Sequence, residues 1–388
     1  MPFELTETQR AIRDEIRDFA RREVAPGARG RDESGTFPHD LVARLGALGA
    51  MGMTVPTDDG GLGLNTMTQL LAIEEIAAAD AALASIYTAH LLALEVLTLA
   101  ASADQRRRYL VGLATGSLLG AFALTEPGAG SDIGSMTTTA RRDGDRWLLR
   151  GEKTYISNAA EADLLVVFAR SGAAAGLQGI SAFLVTGDAP GLSFSSPQDK
   201  CGIRSATTYS VFLDDVAVSG ADVVGTLGAG GKLAMTALNG ARIDVAAMAN
   251  GIAARALQLA TTYASSRHQF GAPLRDFQAI QLMLGEMDAR LEVARVTASW
   301  AATVKDRHED LRRAGSIAKW TATEHCAQIV DMALQIHGGA GFMRESEVER
   351  LYRDSRILRI FEGTSQIQLL TVAGVLAGRY DETAGAVS

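Results

Sequence analysis

The sequence predicts an α+β protein in which helices, strands and helices again follow one another along the chain. Up to about residue 119, apolar residues recur at the spacing of amphipathic helices. Between about 120 and 230, short apolar runs are separated by Gly, Asp and Asn clusters, which is typical of strands. From about 231 onward, long Ala-, Leu- and Met-rich segments indicate helices. We therefore expect an N-terminal α-helical domain at 1–119, a middle β domain at 120–230 and a C-terminal α-helical domain at 231–388.

The N-terminal helices have recognisable ends. Thr6 and Gln9 match a capping box that begins the first helix, and Pro26 followed by Gly27 is expected to end it. Asn65 is a candidate cap for a later helix. These residues predict separate amphipathic helices in the first domain.

The stretch from Ala81 to Ala101 is apolar enough to raise the question of a membrane span. It contains His90 and Glu95, however, and charged groups are costly inside spanning helices. We therefore expect a buried helix within the protein, with His90 as a core histidine whose hydrogen bonds are satisfied.

Charge and composition restrict the classes of partner. The 388 residues include 37 Lys and Arg and 45 Asp and Glu, for a formal net charge of −8, so nucleic acid is not expected as a partner. Cys201 and Cys326 fit neither a disulfide framework nor a metal-ligand spacing. The residues from Met1 to Leu5 do not read as a signal peptide. We expect a cytoplasmic protein without a bound metal or a membrane association.

Three segments carry candidate chemistry. The glycine-dense run Gln335–Phe342 allows its backbone to approach a bulky ligand closely. The segment Ile360–Ser365 places one carboxylate, Glu362, before a glycine and two hydroxyls, which makes it a candidate general base. The run Ala123–Asp132 combines hydroxyls and glycines, which can bind a polar ring edge or a phosphate.

These segments together resemble the acyl-CoA dehydrogenases. The run Ala123–Asp132 is similar to the family's first signature, and Gln335–Asp354 is similar to its second. The segment Phe361–Thr364 resembles the part of the family that bears the catalytic base, and Lys153–Asn158 and Arg267–Gly271 match as well. The resemblance covers essentially the whole chain. It implies a helical domain, a β-barrel-like middle domain and a C-terminal four-helix bundle.

The resemblance implies FAD as cofactor and a set of residues that contact it. Some of them, in the segments around Arg267 and Gln335, would reach the FAD of a neighbouring subunit, which requires an oligomer, and we expect a homotetramer. The implied FAD contacts are Phe122, Leu124, Thr125, Gly130, Ser131, Tyr155, Ile156, Ser157, Arg267, Phe270, Gln278, Gln335, Ile336, Gly338, Gly339, Thr364 and Gln366. The implied substrate contacts are Ser131, Asn239, Arg242 and Gly363.

The base is expected at Glu362. One branch of the family carries its glutamate immediately before the arginine that corresponds to Arg242, but that position is Ala241 here. Nitroalkane oxidases, which have Asp in place of Glu362, and related flavin monooxygenases, which lack the glutamate, are both disfavoured. A dry surrounding that includes Phe361 should raise the pKa of Glu362 toward neutrality.

The implied reaction is α,β-dehydrogenation of an acyl-CoA thioester to the trans-2-enoyl thioester, with electrons passed to an electron-transfer flavoprotein. The weaker alternative in the same fold is a biosynthetic dehydrogenase that acts on an acyl group held by a carrier protein. Asn239 stands where the family usually has Asp, and Leu369 and Gly374 stand where it often has Arg, which favours that alternative.

Two other functional hypotheses remain open. One is a non-catalytic binding module, which the presence of the candidate base Glu362 disfavours, and the other is an oxidase that uses oxygen directly. We expect short or medium acyl chains, with Tyr87 on the buried helix as a residue that shortens the pocket.

Overall fold

The computed structural model describes residues 4–385, and the side chains of residues 4–378. The first helical layer packs around a common apolar core. It consists of α1 (Glu7–Phe19), α2 (Ala28–Ser34), α3 (His39–Ala47), α4 (Thr66–Ala79), α5 (Ala81–Ala100), α6 (Ala103–Gln105) and α7 (Val111–Thr115).

The capping predictions are confirmed, but the predicted stop at Pro26 is wrong. The Thr6 and Gln9 side chains form the reciprocal capping box of α1, and Asn65 accepts from the Thr68 N–H at the start of α4. After α1, a π-turn and the short 3₁₀ segment Ala25–Gly27 carry the chain directly into α2. Pro26 lies near the start of that 3₁₀ segment, where its missing N–H costs little. Gly35, with φ of 66°, provides the left-handed residue at which the helical path ends.

Helix α5 is long and apolar enough to cross a membrane by length and composition alone. In the fold, 78% of its apolar window is buried against the rest of the protein. The expectation of a buried helix is confirmed by this packing.

His90 is the buried polar group of α5 that ties the helical layer to the sheet. The Gly120 N–H donates to Nδ1 at 3.0 Å, so the proton must be on Nε2, which lies 3.1 Å from the Leu113 carbonyl. Burial lowers the pKa of His90 to about 4, so the ring is neutral. As expected, it is a core histidine with satisfied hydrogen bonds.

The middle region is an eight-stranded sheet. Its strands are β1 (Gly120–Ala123), β2 (Thr139–Asp143), β3 (Arg146–Ser157), β4 (Leu164–Arg170), β5 (Ile180–Thr186), β6 (Leu192–Phe194), β7 (Thr208–Ser219) and β8 (Val223–Val224). They are arranged in the order β6-β7-β3-β2-β4-β5-β8, with β1 parallel to β4. Strands β3 and β7 are long and antiparallel, and their register shifts between Lys153 and Ile156. This bulge matters because it lies at the predicted flavin-contact segment.

The C-terminal region is built on helices α8 (Gly230–Ser266), α9 (Gln278–Asp306), α10 (Leu311–His337), α11 (Glu347–Ser355) and α12 (Ser365–Gly385). A small hairpin of β9 (His268–Gln269) and β10 (Ala272–Pro273) separates α8 from α9. Helix α8 packs against α4 and α5 of the first layer and also against α9 and α10, so it forms the centre of the molecule.

Candidate active site

Glu362 lies in the tight connection that leads into α12. Its backbone has φ of 51° and Gly363 has φ of 90°, so two consecutive residues are left-handed. Such a conformation is unfavourable for glutamate and persists only where the surroundings impose it. The Glu362 Oε2 atom is buried and accepts no hydrogen bond from the described part of the chain. A buried carboxylate oxygen without a partner is costly, and it is free to take a proton from a ligand.

Two buried side chains hold the backbone on either side of Glu362. The Lys319 ammonium, on α10, donates to the Phe361 carbonyl at 2.6 Å and also to the Gly363 carbonyl. Gln368 Nε2 donates to the Glu362 carbonyl at 3.2 Å and to the Gly363 carbonyl at 2.8 Å. These four hydrogen bonds fix the left-handed connection and thereby the position of the carboxylate.

The electrostatic surroundings place the Glu362 carboxyl near neutrality. Burial raises the pKa of Glu362 to about 7; Lys319 and Arg242 oppose that shift, and Asp244 adds to it. Burial also lowers the pKa of Lys319 to about 8, while the charge of Glu362 holds it up. The predicted raised pKa of Glu362 therefore has its main cause in burial. A carboxylate with this pKa is basic enough to abstract a proton at neutral pH.

Arg242 is a second charged group beside the base. It lies buried in α8, where Nη1 donates to Asn239 Oδ1 at 2.8 Å and to Ser316 Oγ at 3.1 Å. Its Nε is buried without an acceptor among the described residues. Ser316 lies one turn before Lys319 on α10, so the structure brings together the predicted base and this predicted substrate contact. The charge of Arg242 lowers the pKa of Glu362.

The loop after β1 is anchored by a buried ion pair. Lys153 Nζ lies 2.8 Å from Glu126 Oε1 and 3.1 Å from the Leu124 carbonyl. Burial alone would raise the pKa of Glu126, but Lys153 and hydrogen bonds from Thr137 and Thr138 lower it to about 2. The Thr154 N–H donates to the Thr125 carbonyl at 2.9 Å, so β3 also holds this loop. The ion pair thus fixes the loop that carries the predicted flavin contacts Thr125 and Ser131.

The residues predicted to contact FAD leave room for a large planar group. Tyr155 is 71% exposed at the bulge in β3, and Phe270 is 96% exposed in the β9–β10 hairpin. A Cβ atom built on Gly130, Gly338 or Gly339 would meet no heavy atom within 4 Å. Large exposed aromatic side chains beside open glycines indicate surfaces covered by a ligand or a neighbouring subunit. The residues present therefore fit FAD.

The other predicted contacts fall on defined elements. Phe122 lies on β1, Ile156 and Ser157 end β3, and Gln278 begins α9. Gln335 and Ile336 form the last turn of α10, while Thr364 and Gln366 stand at the start of α12. The contacts they make with a flavin stay a prediction.

Sequence reasoning missed three residues of the site, Lys319, Gln368 and Asp244. Each lies inside a helix among apolar neighbours, where a polar residue interrupts the buried face. A polar residue on an apolar helix face is the sequence signal that could have identified them. This signal marks the residue as unusual, but it does not identify the partner that the residue contacts in another segment.

We expect Lys319→Met to lower the maximal rate of substrate-dependent flavin reduction by about 10- to 10³-fold, because the loosened carbonyls no longer hold the base in position. Removing the cation should also raise the pKa of Glu362, so the pH at which the rate increases should be higher than in the wild type. Stopped-flow absorbance across pH tests both effects. Lys319→Arg, which keeps the charge, should retain the wild-type pH dependence, and an unshifted profile in Lys319→Met would contradict this role.

Comparison with known proteins supports the class that the fold and site define, a flavin-dependent dehydrogenase of acyl thioesters. The chain matches the family models for the acyl-CoA dehydrogenase N-terminal domain at residues 6–117, the middle domain at 121–216 and the C-terminal domain at 228–377. It is 41% identical over 378 residues to the mitochondrial short-chain specific acyl-CoA dehydrogenase of Bos taurus, covering 97% of this chain and 92% of that protein. The chain belongs to the acyl-CoA dehydrogenase family, and its cofactor is FAD.

Solved structures agree with this assignment. Butyryl-CoA dehydrogenase from Megasphaera elsdenii matches with a TM-score of 0.96 at 35% identity, covering 97% of this chain and all of that one (100%). A structure described as the electron transferring flavoprotein of Acidaminococcus fermentans matches with a TM-score of 0.95 at 35% identity, covering 97% and 99% of the two chains. The prolyl acyl carrier protein oxidase AnaB matches with a TM-score of 0.93 at 31% identity, covering 96% and 100%. The predicted α+β fold is confirmed.

Proposed function

We propose that the protein dehydrogenates a short-chain acyl-CoA thioester to the trans-2-enoyl thioester, with Glu362 as the base that removes the α-proton. The observation that carries the proposal is the buried Glu362 Oε2 atom, which has no hydrogen-bond partner among the described residues, in a carboxyl group whose pKa is raised to about 7. The similarity to butyryl-CoA and short-chain specific dehydrogenases supports a short acyl chain.

The chain's own residues prepare proton removal. A thioester α-proton is weakly acidic, so the developing enolate oxygen requires hydrogen-bond donors, one of which the family implies to be the Glu362 N–H. Lys319 and Gln368 hold the connection that carries both this N–H and the carboxylate. Bound FAD supplies the acceptor for the β-hydride.

The further parts of the proposal rest on the family. We assign FAD contacts to the segments around Thr125, Tyr155, Arg267 and Gln335, and substrate contacts to Ser131, Asn239, Arg242 and Gly363. The electron acceptor in this proposal is an electron-transfer flavoprotein, supported by the Acidaminococcus fermentans match. We also propose that the protein is a cytoplasmic homotetramer that binds neither nucleic acid nor a membrane.

A second candidate is dehydrogenation of an acyl group held on a carrier protein. Two observations favour it: the structural match to AnaB, a prolyl acyl carrier protein oxidase, and the neutral Asn239 that accepts a hydrogen bond from Arg242. In this candidate the base and the cofactor are the same, and the thioester carrier differs.

Anaerobic titration of the holoenzyme with acyl-CoA thioesters of increasing length tests the proposal. We expect the visible flavin absorbance to bleach with the short thioesters at nearly equimolar substrate. A yellow protein that no acyl-CoA bleaches, but that a short acyl group on a carrier protein does bleach, would overturn the CoA proposal in favour of the second candidate.

The rate of flavin reduction should rise with pH through about 7. Glu362 acts as a base only when ionised, and because burial raises its pKa to about 7, the ionised fraction increases from below to above neutrality. Stopped-flow reduction by butyryl-CoA between pH 5.5 and 8.5 measures this profile. A rate that is flat from pH 5.5 upward would contradict the raised pKa, since an ordinary glutamate would already be ionised there.

A further inference from the structure

A small cavity with a polar end lies beside the base. It measures about 10 Å³ and is lined by residues of α4, α5 and α8, the C-terminal end of α9, and Thr54 and Val55 before α4. Its apolar wall includes Leu91, Leu94 and Ala241, the residue immediately before Arg242. Arg242 Nη1 donates to Ser316 Oγ, one turn before Lys319 on α10, and Lys319 holds the carbonyl that precedes Glu362, so the cavity lies on the side of the base. Asp244, another lining residue, also raises the pKa of Glu362 through its charge. Room for about one water molecule limits what it holds to the end of a short chain.

Tyr87, which the sequence predicts to shorten the pocket, is not among the residues that line this cavity. Its hydroxyl donates to the Ala50 carbonyl at 2.7 Å, which satisfies it within the core. The wall from α5 is instead formed one turn and more further on, by Leu91, Leu94 and Glu95.

The polar end of the cavity has an unused hydrogen-bond acceptor. Asp244 is only 5% exposed, and it accepts one hydrogen bond, from Gln69 Nε2 to Oδ1 at 2.9 Å. Gln69 is itself held, because its Oε1 accepts from the Thr54 hydroxyl at 3.2 Å. Within the described chain no cation lies in ion-pairing distance of Asp244. Its second carboxylate oxygen therefore remains for a ligand.

The other two charged groups of the cavity form an ion pair, and the charge of Lys305 also lowers the pKa of Asp244 against the effect of burial. Lys305 Nζ lies 3.1 Å from Glu95 Oε1, and Gly240 makes room for this pair, since a Cβ there would lie 3.0 Å from Nζ. With Asp244 ionised, the three groups sum to one net negative charge. Burial raises the pKa of Asp244 to about 6, so it is mainly ionised at neutral pH. A second carboxylate would be repelled from this end of the cavity, and a plain hydrocarbon would remove water from Asp244 without replacing its hydrogen bond.

We propose that the preferred acyl group is short and carries a hydrogen-bond donor, a hydroxyl or an ammonium, at its far end, where Asp244 accepts it. This inference rests on the proposed dehydrogenation and specifies the substrate class of the same site. A site built to hydrogen-bond a donor discriminates strongly against the analogue that lacks it.

Matched sets of four- and five-carbon acyl-CoA thioesters test the proposal, each with a methyl, hydroxyl, ammonium or carboxylate end. We expect that, in at least one set, a donor-bearing thioester reduces the holoenzyme with a kcat/KM about 10- to 100-fold above the methyl-ended one, and that the carboxylate-ended one is the poorest. Equal or higher kcat/KM for the methyl- or carboxylate-ended thioesters in both sets would overturn the inference. If no thioester bleaches the flavin at all, the proposed function fails instead.

Asp244→Leu should reverse the preference toward the methyl-ended thioester, while bound FAD is retained. Because Asp244 raises the pKa of Glu362, the thioesters are compared at pH 8.5, where Glu362 is ionised in both proteins. In Asp244→Leu, the Gln69 amide loses its acceptor. The double variant Asp244→Leu/Gln69→Leu also removes this unpaired amide, and it replaces the single variant in the test if the single variant folds poorly. Asp214→Asn, an aspartate with an 82% exposed side chain on β7, is the matched control and should keep the wild-type preference. A folded leucine variant that still prefers the donor-bearing thioester would show that Asp244 is not the acceptor.

Discussion

Glu362→Gln should lower the rate of substrate-dependent flavin reduction by about 10⁴-fold, the upper end of what a positioned base contributes. The amide has nearly the same shape but cannot accept the α-proton. It also removes a buried charge, so neither folding nor FAD binding should suffer. Anaerobic stopped-flow mixing with butyryl-CoA measures the rate, and the absorbance spectrum before mixing gives the FAD content.

Two further variants serve as a control and as a conservative replacement for Glu362→Gln. Glu309→Gln changes an exposed glutamate in the connection between α9 and α10, and the flavin of this variant should be reduced at the wild-type rate. Glu362→Asp keeps a carboxylate but shortens it, and should retain partial activity. Wild-type reduction by Glu362→Gln would mean that another group removes the proton.

Lys153→Met should destabilise the holoenzyme by about 3–5 kcal/mol, the cost of leaving one partner of a buried ion pair alone. Lys153 is fully buried, and its loss leaves Glu126 and the Leu124 carbonyl without this donor. Since the same loop carries Thr125, we also expect weaker FAD retention. Urea unfolding followed by flavin fluorescence and circular dichroism tests both effects.

The matched control is Lys232→Met, an exposed lysine near the start of α8, which should leave stability unchanged. The double variant Lys153→Met/Glu126→Gln removes both charges and should recover part of the loss. A Lys153→Met protein as stable as the control would contradict the structural role of the ion pair.

The long helices were predictable because their patterns are local. The periodic segments from Phe277 to Lys305 and from Leu311 to Ile336 correspond within one residue to α9 and α10. Pro26 was misread because a proline at the start of a 3₁₀ segment has the same local sequence as one that ends a helix. The outcome depends on how α1 and α2 pack, which no local pattern specifies.

The site was predictable only in part. Glu362 stands next to a glycine in a recognisable motif, so sequence identified it. Lys319 lies 42 positions from Phe361 and Asp244 lies 175 positions from Gln69, and only the fold brings these pairs together. The raised pKa of Glu362 could be expected from a dry pocket, whereas the opposing charges of Lys319 and Arg242 could not.

The most direct test of the central claim is exchange of the α-protons of 3,3-dimethylbutyryl-CoA with D₂O, followed by NMR in the presence of the holoenzyme. This thioester has α-protons but no β-hydrogen, so only the base is required. Exchange by the wild type that is lost in Glu362→Gln is the predicted result. Exchange at the same rate by both proteins would show that Glu362 is not the base.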